Sequence, residues 1–489
     1  MNMKQTSFVA DADRRQPISR PVHLGLALVL LCIANFLVAL DFSIVNVALP
    51  SIKTALSFSQ DGLQWVISAY ALPFGGLLLL AGRAADLYGR RRLFIAGLVL
   101  FALGSLIAGL SSSSGILIAA RALQGIGAAT LAPAALSILT TTFQEGKERQ
   151  RALGIYLLVT SAGFVSGIIA GGIIVQVLNW HWIFYVNVPI AIGTALCAPL
   201  LLRESHNHEA ARRLDIPGAF FITASVVLVV YTMSQANSVG WLSFQTLGSF
   251  TAALLLGGLF VLVESRVADP MVPLSFFRQR IIMMANLAGL LLLGSLASML
   301  FVLTLFLQQV LHYNPLQTGL TLIPQGIAAV IAGLVAARLS ARFSVGSLLI
   351  FGAFLQTVAT VLLMFLLQQG GLVFLEVAIV MFGFGDILAF VMVSIQATTG
   401  VSDEDQGLAG GMLTMAQQVG AGLGLAVTVA IATARTNSLL PKAQQAAPPL
   451  YALVSGFQYA LGAAALMTAI ATLIGIMLSL QGQQERKMK

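Results

Sequence analysis

Fourteen long apolar runs dominate the 489-residue chain, the first over residues 24–49 and the last over residues 452–480. Each run reaches about the 20 residues that an α-helix needs to cross the hydrocarbon core of a bilayer. Only 9 % of the residues are charged, whereas about 25 % is usual in soluble proteins. The sequence therefore predicts an all-α polytopic membrane protein with 14 transmembrane helices. It argues against a soluble enzyme, a nucleic-acid-binding protein or a disordered scaffold.

The basic residues predict the orientation of these helices. Of the 26 Lys and Arg residues, 22 fall in the terminal tails or in loops on the same side of the membrane as the tails. Three, Lys53, Arg435 and Lys442, fall on the other side. Because cytoplasmic loops are enriched in Lys and Arg, both termini are predicted to be cytoplasmic. All four tryptophans then fall at the outer interface, where amphipathic rings are favoured.

The lengths of the connections predict a 6+2+6 arrangement of the spans. The two longest connections, 203–216 and 264–280, bracket spans 7 and 8. The predicted segments are a cytoplasmic N-terminal tail (1–23), an N-terminal six-helix bundle (24–203), an accessory two-helix hairpin with its linkers (204–280), a C-terminal six-helix bundle (281–480) and a cytoplasmic tail (481–489). A proline followed by a basic loop recurs in both bundles, at Pro73 and Pro324. Such parallel half-repeats are typical of transporters.

The short loops leave no room for a catalytic domain on either side of the membrane. The spans contain no HExxH pattern and no Ser/His pair that would suit a membrane-embedded enzyme, so no enzymatic activity is predicted. His206 and His208 lie in a charged linker and are predicted to be solvated rather than metal-bound. No metal and no cofactor is expected.

Four ionisable residues fall inside predicted spans, namely Asp41, Arg121, Glu376 and Asp386. Each costs at least roughly 2.5–3.5 kcal/mol in the membrane and is therefore a candidate functional residue. At about 1.5 Å per residue, Asp41 and Arg121 lie about 12 and about 9 Å from the outer end of their spans. Glu376 lies about 6 Å and Asp386 about 21 Å from the outer end of theirs. Asp41 and Arg121 are therefore predicted to share one polar cavity that takes up and releases a proton, and a static ion pair is the alternative.

Five stretches carry recognisable local patterns. They are LDFSIVNVALP (Leu40–Pro50), GRAADLYGRRR (Gly82–Arg92), RALQGIGAA (Arg121–Ala129), the span-5 glycines Gly154, Gly163, Gly167, Gly171 and Gly172, and NWHWIFYVNVPI (Asn179–Ile190). Together and in this order they resemble motifs of the major facilitator superfamily, and more narrowly of its fourteen-span drug:proton antiporters. Two positions depart from the usual patterns, since Ile168 replaces a proline and His181 stands where arginine is common.

The resemblance implies a role for each motif. Asp41 would bind protons or cationic substrates, and Arg121 would serve proton coupling. Gly82, Asp86, Gly89 and Arg90 would form a breakable cytoplasmic latch that favours the outward-facing state, with a generic basic turn as the alternative. The span-5 glycines would seal the two bundles against leak. The missing proline at Ile168 leaves the curvature of span 5 open, because proline is the usual cause of a helix kink.

The sequence thus predicts a proton-coupled efflux transporter that works by alternating access. Its expected substrates are amphipathic, often cationic, small molecules, and its expected setting is the bacterial inner membrane, as a monomer. Small-molecule substrates, protons and the lipid bilayer are the predicted partners, and nucleic acid is not. A dedicated exporter of one metabolite, lipid or siderophore, a proton symporter and a receptor with a transporter fold are the alternatives.

Overall fold

The computed structural model describes residues 24–144, 146–205, 215–267, 270, 276, 279–369, 371–399, 401, 406–440 and 449–488. Within these residues all regular structure is helical, and fourteen helices are long and apolar enough to cross a membrane. The predicted all-α fold with 14 spans is confirmed. The predicted tail 1–23 and both linker histidines, His206 and His208, lie outside the described residues.

The fourteen spans are labelled α1 to α14 in chain order. They are α1 (Leu24–Ala55), α2 (Trp65–Tyr88), α3 (Arg90–Gly109), α4 (Ser114–Thr142), α5 (Lys147–Val177), α6 (Asn187–Leu201), α7 (Ile216–Val239), α8 (Phe244–Glu264), α9 (Arg280–Leu305), α10 (Pro315–Ser340), α11 (Val345–Gln369), α12 (Leu372–Thr398), α13 (Gln406–Ser438) and α14 (Leu450–Met488). Single helical turns precede α2 (Gln60–Leu63) and α6 (Trp182–Tyr185), and a π-helical turn, Phe306–Val310, extends α9. Helix α14 continues through most of the segment that was predicted to be a tail, 481–489.

The same packing pattern occurs twice along the chain. In the first six helices α1 packs on α5, α4 packs on α2 and α3, and α3 packs on α6. In the last six helices α9 packs on α13, α12 packs on α10 and α11, and α11 packs on α14. The predicted internal repeat therefore has a structural counterpart. The residue bounds of the two bundles and of the hairpin stay a prediction.

The two bundles meet along two flanks, α5 against α10 and α2 against α13. The accessory hairpin covers the second flank, because α7 packs on both α2 and α13, while α8 packs on α7. A small apolar cluster that includes Leu79, Ala219, Phe260 and Met412 joins these helices. The hairpin thus lies outside the bundles, against one of their two contacts.

We name the two ends of the molecule by the chain termini. The termini side is the end at which the described chain starts (Leu24) and stops (Met488), and the far side is the opposite end. Toward the far side both bundles share one apolar core, which includes Leu49, Leu300 and Phe382. Toward the termini side each bundle has a core of its own. The bundles therefore join on the far side. Toward the termini side they diverge along the α5–α10 flank, whereas α2 and α13 stay joined there through the cluster with the hairpin.

Candidate functional site

The predicted pairing of Asp41 and Arg121 is present in the structure as a direct contact between α1 and α4. Arg121 Nη1 lies 2.6 Å from Asp41 Oδ2. Both residues are buried, with 1 % of Arg121 and 0 % of Asp41 exposed. The Nε of Arg121 also donates a hydrogen bond to the backbone oxygen of Val66, at 2.9 Å. The two charges that were predicted to lie at similar depth thus form one closed ion pair.

Two side-chain amides complete the surroundings of Asp41. Gln124 Nε2 donates to Asp41 Oδ1 at 3.0 Å, and Asn187 Nδ2 donates to the same oxygen at 2.8 Å. Gln124 Oε1 in turn accepts from Arg121 Nη1 at 2.9 Å, and its Nε2 donates to Ser105 Oγ at 2.7 Å. Asp41 therefore accepts three side-chain hydrogen bonds, two from α4 and one from the first residue of α6. Such networks are strongest when every member has a partner.

Aromatic rings and close helix contacts hold this network in place. The Arg121 guanidinium carbon lies 4.5 Å from the centre of the Tyr70 ring and 5.9 Å from that of Phe184, both within cation–π range. A Cβ atom at Gly104 would lie only 2.8 Å from the backbone nitrogen of Gln124. Glycine at 104 therefore lets α3 approach α4 closely enough for Gln124 to bridge Ser105 and Asp41.

Sequence reasoning missed Gln124, Asn187 and Tyr70 as members of this site. Gln124 lies within the RALQGIGAA motif and Asn187 within NWHWIFYVNVPI. Both side chains are uncharged, so the criterion of an ionisable residue inside a span does not find them. Buried amides in a membrane helix also need hydrogen-bonding partners, and this requirement was the signal that could have found them.

Asp386 lies in the other bundle and has different surroundings. It is 8 % exposed, and its Oδ1 accepts a hydrogen bond from Gln356 Nε2 of α11 at 3.2 Å. Within the part of the chain that the structure describes, no Lys or Arg side chain lies within ion-pair distance of Asp386. The structure therefore places this carboxylate beside a neutral amide rather than a cation.

Glu376 occupies the far-side end of α12 and does not join either group. It is half-buried, and its Oε2 is buried without a hydrogen-bonding partner among the described residues. Asp386 lies ten residues further along the same helix, or about 15 Å at the usual helical rise. The four predicted membrane charges therefore form one pair and two separate carboxylates.

The basic turn between α2 and α3 contains the predicted latch residues. Arg90 Nη2 lies 2.9 Å from Asp86 Oδ1, and Gly89 has a backbone φ of 108°, which favours glycine. The backbone nitrogen of Arg90 also donates to Ser205 O at 3.2 Å. A Cβ at Gly82 would lie 3.6 Å from Pro133, which is an ordinary contact and requires no glycine in this arrangement. Asp86 thus pairs inside its own turn.

The span-5 glycines divide between two faces of α5. A Cβ at Gly163 would lie 2.8 Å from Phe36 O, one at Gly167 2.6 Å from Leu40 O and one at Gly171 2.9 Å from Ile44 O, all on α1. A Cβ at Gly172 would lie 2.9 Å from Pro315 O of α10. The five glycines therefore do not share one contact surface, and their predicted role in sealing the two bundles stays a prediction. Three of them pack within the N-terminal bundle, and Gly172 contacts the other bundle.

Gly154 lies at an open position of α5, where a Cβ would meet none of the described atoms within 4 Å. The helical repeat explains this division, because successive residues of an α-helix turn by about 100°. Gly154 and Gly172 are five full turns apart along the helix and therefore share a face. Gly163 lies two and a half turns from each of them and therefore points to the opposite side. That shared face looks toward α10, and near its middle a cavity of about 310 Å3 opens between Val165 and Ile331. Ile168 causes no break, because α5 runs without interruption from Lys147 to Val177.

Comparison with known proteins places this site in a family. The sequence profile of the Major Facilitator Superfamily matches residues 31–425. The chain belongs to the Major Facilitator Superfamily. It is a multi-pass membrane transporter. The described residues also contain no group of three or more His, Cys, Asp and Glu side chains that could hold a metal ion.

Curated relatives within the superfamily are bacterial resistance and export proteins. The chain is 39 % identical to the puromycin resistance protein pur8 of Streptomyces alboniger, over 84 % of this chain and 82 % of that protein. It is 38 % identical to the cephamycin export protein CmcT of Amycolatopsis lactamdurans, over 88 % and 89 % of the two chains. It is 33 % identical to the multidrug resistance protein Stp of Mycobacterium tuberculosis, over 84 % and 77 %. These bacterial relatives fit a location in the inner membrane.

Solved structures agree on the fold. A bacterial homologue of the lysosomal transporter Spinster, in an inward-facing and unoccupied conformation, superposes with a TM-score of 0.66 at 17 % identity, covering 94 % of this chain and 98 % of that one. The POT family transporter PepTSo superposes with a TM-score of 0.67 at 12 % identity, covering 93 % of this chain and 99 % of that one. At this identity the agreement concerns the superfamily fold and no more.

Proposed function

We propose that this protein is a proton-coupled efflux transporter that exports amphipathic, often cationic, small molecules by alternating access. The observation that carries the proposal is the fully buried Asp41–Arg121 pair, in which both carboxylate oxygens of Asp41 accept side-chain hydrogen bonds. Ionisable groups inside a membrane are costly and typically mark ion or substrate pathways. A pair that served only to join α1 to α4 could be replaced by apolar side chains at no cost, as buried ion pairs often can.

The pair provides a means of coupling a proton to a conformational change. While Arg121 contacts Asp41, the two charges compensate each other. A movement of α4 relative to α1 that separates them leaves a buried carboxylate, which a proton neutralises. Asp386 is proposed as a second proton site, since a carboxylate beside the neutral amide of Gln356 has no cation to displace. Glu376 is proposed to exchange protons near the far side.

The excess of Lys and Arg supports a cytoplasmic termini side. With that orientation the divergence of the bundles along the α5–α10 flank supports a transporter that is open toward the cytoplasm and closed toward the outside. The alternate state then has to close the termini side. Under this proposal the turn with Asp86 and Arg90 breaks its internal pair and takes part in that closure, as the latch does in the predicted mechanism.

The contacts between α5 and α10 indicate where closure occurs. The antiparallel register pairs Gly172 with Pro315 and Ile168 with Gly319. If this register continues for fourteen residues from Ile168 and Gly319 toward the termini side, Gly154 pairs with Gly333. Gly154 has no neighbour, and a Cβ at Gly333 would contact only Ile387 of its own bundle, at 3.7 Å. We assign these two glycines to a close helix contact in the alternate state, where small residues allow backbones to approach.

The relatives support export as the direction of transport, because their names describe puromycin resistance, cephamycin export and multidrug resistance. An apolar interior with few charges supports amphipathic substrates, since apolar contacts discriminate weakly while a buried charge selects the sign of the ligand. A second candidate is a dedicated exporter of one compound, which is favoured by relatives whose names refer to a single antibiotic. We propose that the monomer is the working unit, because each chain contains both bundles.

The test is transport into everted membrane vesicles that contain the protein, across a panel of cationic, neutral and anionic amphiphiles. An acidic lumen should drive uptake of several cationic compounds, and nigericin, which collapses the pH gradient, should abolish it. Uptake of one compound alone would support the dedicated exporter. Uptake that is equally fast without a pH gradient would contradict proton coupling.

A further inference from the structure

A cleft of about 600 Å3 opens on the far side, at the line where the two bundles meet. Its walls come from the end of α1 and the loop after it and, across the interface, from the π-helical turn after α9 and the start of α10. This volume lies within the usual range for pockets that hold small organic molecules. The cleft is separate from the Asp41–Arg121 site and has no role in the proton mechanism described above.

Among the described residues that line the cleft, one side chain is charged. It is that of Lys53, and none of these described residues is acidic. The amides of Gln308 and Gln309 add further donors, and Phe58 and Tyr313 add aromatic surface. One ammonium group, neutral donors and two aromatic rings match an organic anion with an apolar body, because a cation strengthens hydrogen bonds to an acidic group.

The backbone around the cleft is unusual at three places. Ser57, which lines it, and His312, next to its Tyr313, have φ values of 53° and 56°. They are the two non-glycine residues with positive φ in the described part of the chain. The third place is the π-helical turn Phe306–Val310, which carries Gln308 and Gln309. Backbone strain and π-helical turns both concentrate at functional sites, so their coincidence at one cavity points to binding.

A hydrogen bond between the bundles fixes one wall of the cleft. Gln308 Nε2 donates to the backbone oxygen of Val47 at 2.9 Å, which ties the π-helical turn to α1. The wall that holds Lys53 and the wall that holds Gln309 are thereby kept in a fixed relation. A ligand that contacts both walls meets a preformed site, and preformed sites bind with a lower entropic cost.

We propose that this cleft is a binding site for a small organic anion, with Lys53 contacting its acidic group and Phe58 and Tyr313 flanking its apolar part. The site differs in position and in charge preference from the central path for amphipathic cations. It does not depend on proton coupling, so it can be tested without a transport assay. The acidic group can belong to a soluble molecule or to the headgroup of an anionic lipid, because the chemistry of recognition is the same.

The test is equilibrium dialysis of 2-naphthoate and of its neutral amide against the full-length protein in phosphatidylcholine nanodiscs, with empty nanodiscs subtracted. The anion should bind at least tenfold more tightly than the amide, as expected for a hydrogen bond to a charged group. Lys53→Gln should remove that preference, and Lys53→Arg should retain most of it. Equal binding of anion and amide by the wild-type protein would overturn the proposal.

Arg435→Gln is the matched control. Arg435 is also a basic residue at the far-side end of a span, but it contacts Ser455 and the ring of Tyr459 and does not line the cleft. Its loss should change the affinity for naphthoate less than twofold. If Lys53→Gln and Arg435→Gln lower this affinity equally, naphthoate binds by nonspecific charge attraction rather than in the cleft, and the proposal is overturned. Adding phosphatidylglycerol to the nanodiscs distinguishes a lipid headgroup from a soluble anion as the natural ligand. If phosphatidylglycerol displaces naphthoate from the wild-type protein in a manner that depends on Lys53, the ligand is a lipid headgroup. If it does not displace naphthoate, the ligand is a soluble anion.

Discussion

Asp41 and Arg121 of the N-terminal bundle form a buried ion pair with further side-chain hydrogen bonds to Asp41. Asp386 of the C-terminal bundle instead accepts one hydrogen bond from the neutral amide of Gln356. The helix packing around the two is the same. A Cβ at Gly127 of α4 would lie 2.6 Å from the backbone nitrogen of Phe101, and one at Gly385 of α12 would lie 2.9 Å from that of Gln356. Gly127 and Gly385 therefore occupy corresponding positions in the two bundles.

The correspondence between Gly127 and Gly385 shows which polar side chains are not needed for the helices of a bundle to pack. Counting from the two glycines, Asp386 occupies the place of Ala128, and Gln356 occupies that of Phe101. Six residues in the other direction, Arg121 corresponds to Ile379, which is fully buried. The C-terminal bundle thus has an apolar residue at the position of Arg121, and the N-terminal bundle has apolar residues at the positions of Asp386 and Gln356. The membrane charges are thus specialised features of each bundle, added to a shared helix packing.

The largest effect on stability is expected from Arg121→Met. Removing one partner of a buried ion pair leaves the other charge uncompensated and costs about 3–5 kcal/mol. The measurement is the free energy of unfolding of the purified protein in detergent. Arg90→Met is the control, because its pair with the 41 %-exposed Asp86 side chain should be worth less than about 1 kcal/mol. If both variants lose the same free energy of unfolding, the buried Asp41–Arg121 pair contributes no more to stability than the exposed pair.

A smaller loss is expected from Asn187→Leu, which removes one of the three donors to Asp41. Hydrogen bonds to charged groups contribute about 1.5–3 kcal/mol. Asn46→Leu is the matched control, because Asn46 is also buried in the same bundle but donates to the neutral backbone oxygen of Phe42, for which about 0.5–1.5 kcal/mol is usual. A larger loss of unfolding free energy in Asn46→Leu than in Asn187→Leu would argue against the Asp41 network.

Asp386→Asn tests the other half of the comparison. The amide keeps the shape of the carboxylate and can still accept from Gln356, so stability should change by less than about 1 kcal/mol. Efflux driven by a pH gradient should nevertheless fall, because the second proposed proton site is lost. If the variant transports at the wild-type rate, Asp386 has no part in coupling and the C-terminal polar pair is structural.

Gly154→Leu should have the smallest effect on stability, within about 1 kcal/mol, since leucine has the higher helix propensity and the site is open. The added side chain should still slow efflux by preventing the approach of α5 to α10 on the termini side. Gly193→Leu, also at a position with nothing within 4 Å, is the control and should transport normally. Normal efflux by Gly154→Leu would exclude the proposed contact with Gly333.

The fold was predictable because fourteen apolar runs and their length constrain a membrane chain strongly. The meeting of Asp41 with Arg121 was also predictable, since helical rise alone places them at similar depth. The orientation of the termini and the bounds of the segments stay predictions. The sealing role of the span-5 glycines stays a prediction. The turn per residue of α5 places Gly154 and Gly172 opposite to Gly163, so the five glycines do not share one face.

The remaining parts of the site depend on tertiary contacts that no local pattern reveals. Asn187 reaches Asp41 across 146 positions of sequence, and its own motif gives no sign of that partner. The neutral surroundings of Asp386 follow from which face of α11 packs on α12. Neither fact can be read from a single span, because a membrane helix that is apolar on all sides does not show which side it buries.

The central claim is that the Asp41–Arg121 pair couples protons to export, and Asp41→Asn tests it most directly. The variant should be compared with wild type in everted vesicles that carry a defined pH gradient, after size-exclusion chromatography has shown a folded, monodisperse protein. The account predicts that gradient-driven uptake of cationic amphiphiles is abolished, because asparagine keeps the shape of the side chain and cannot exchange a proton. Gradient-driven uptake at the wild-type rate would contradict it.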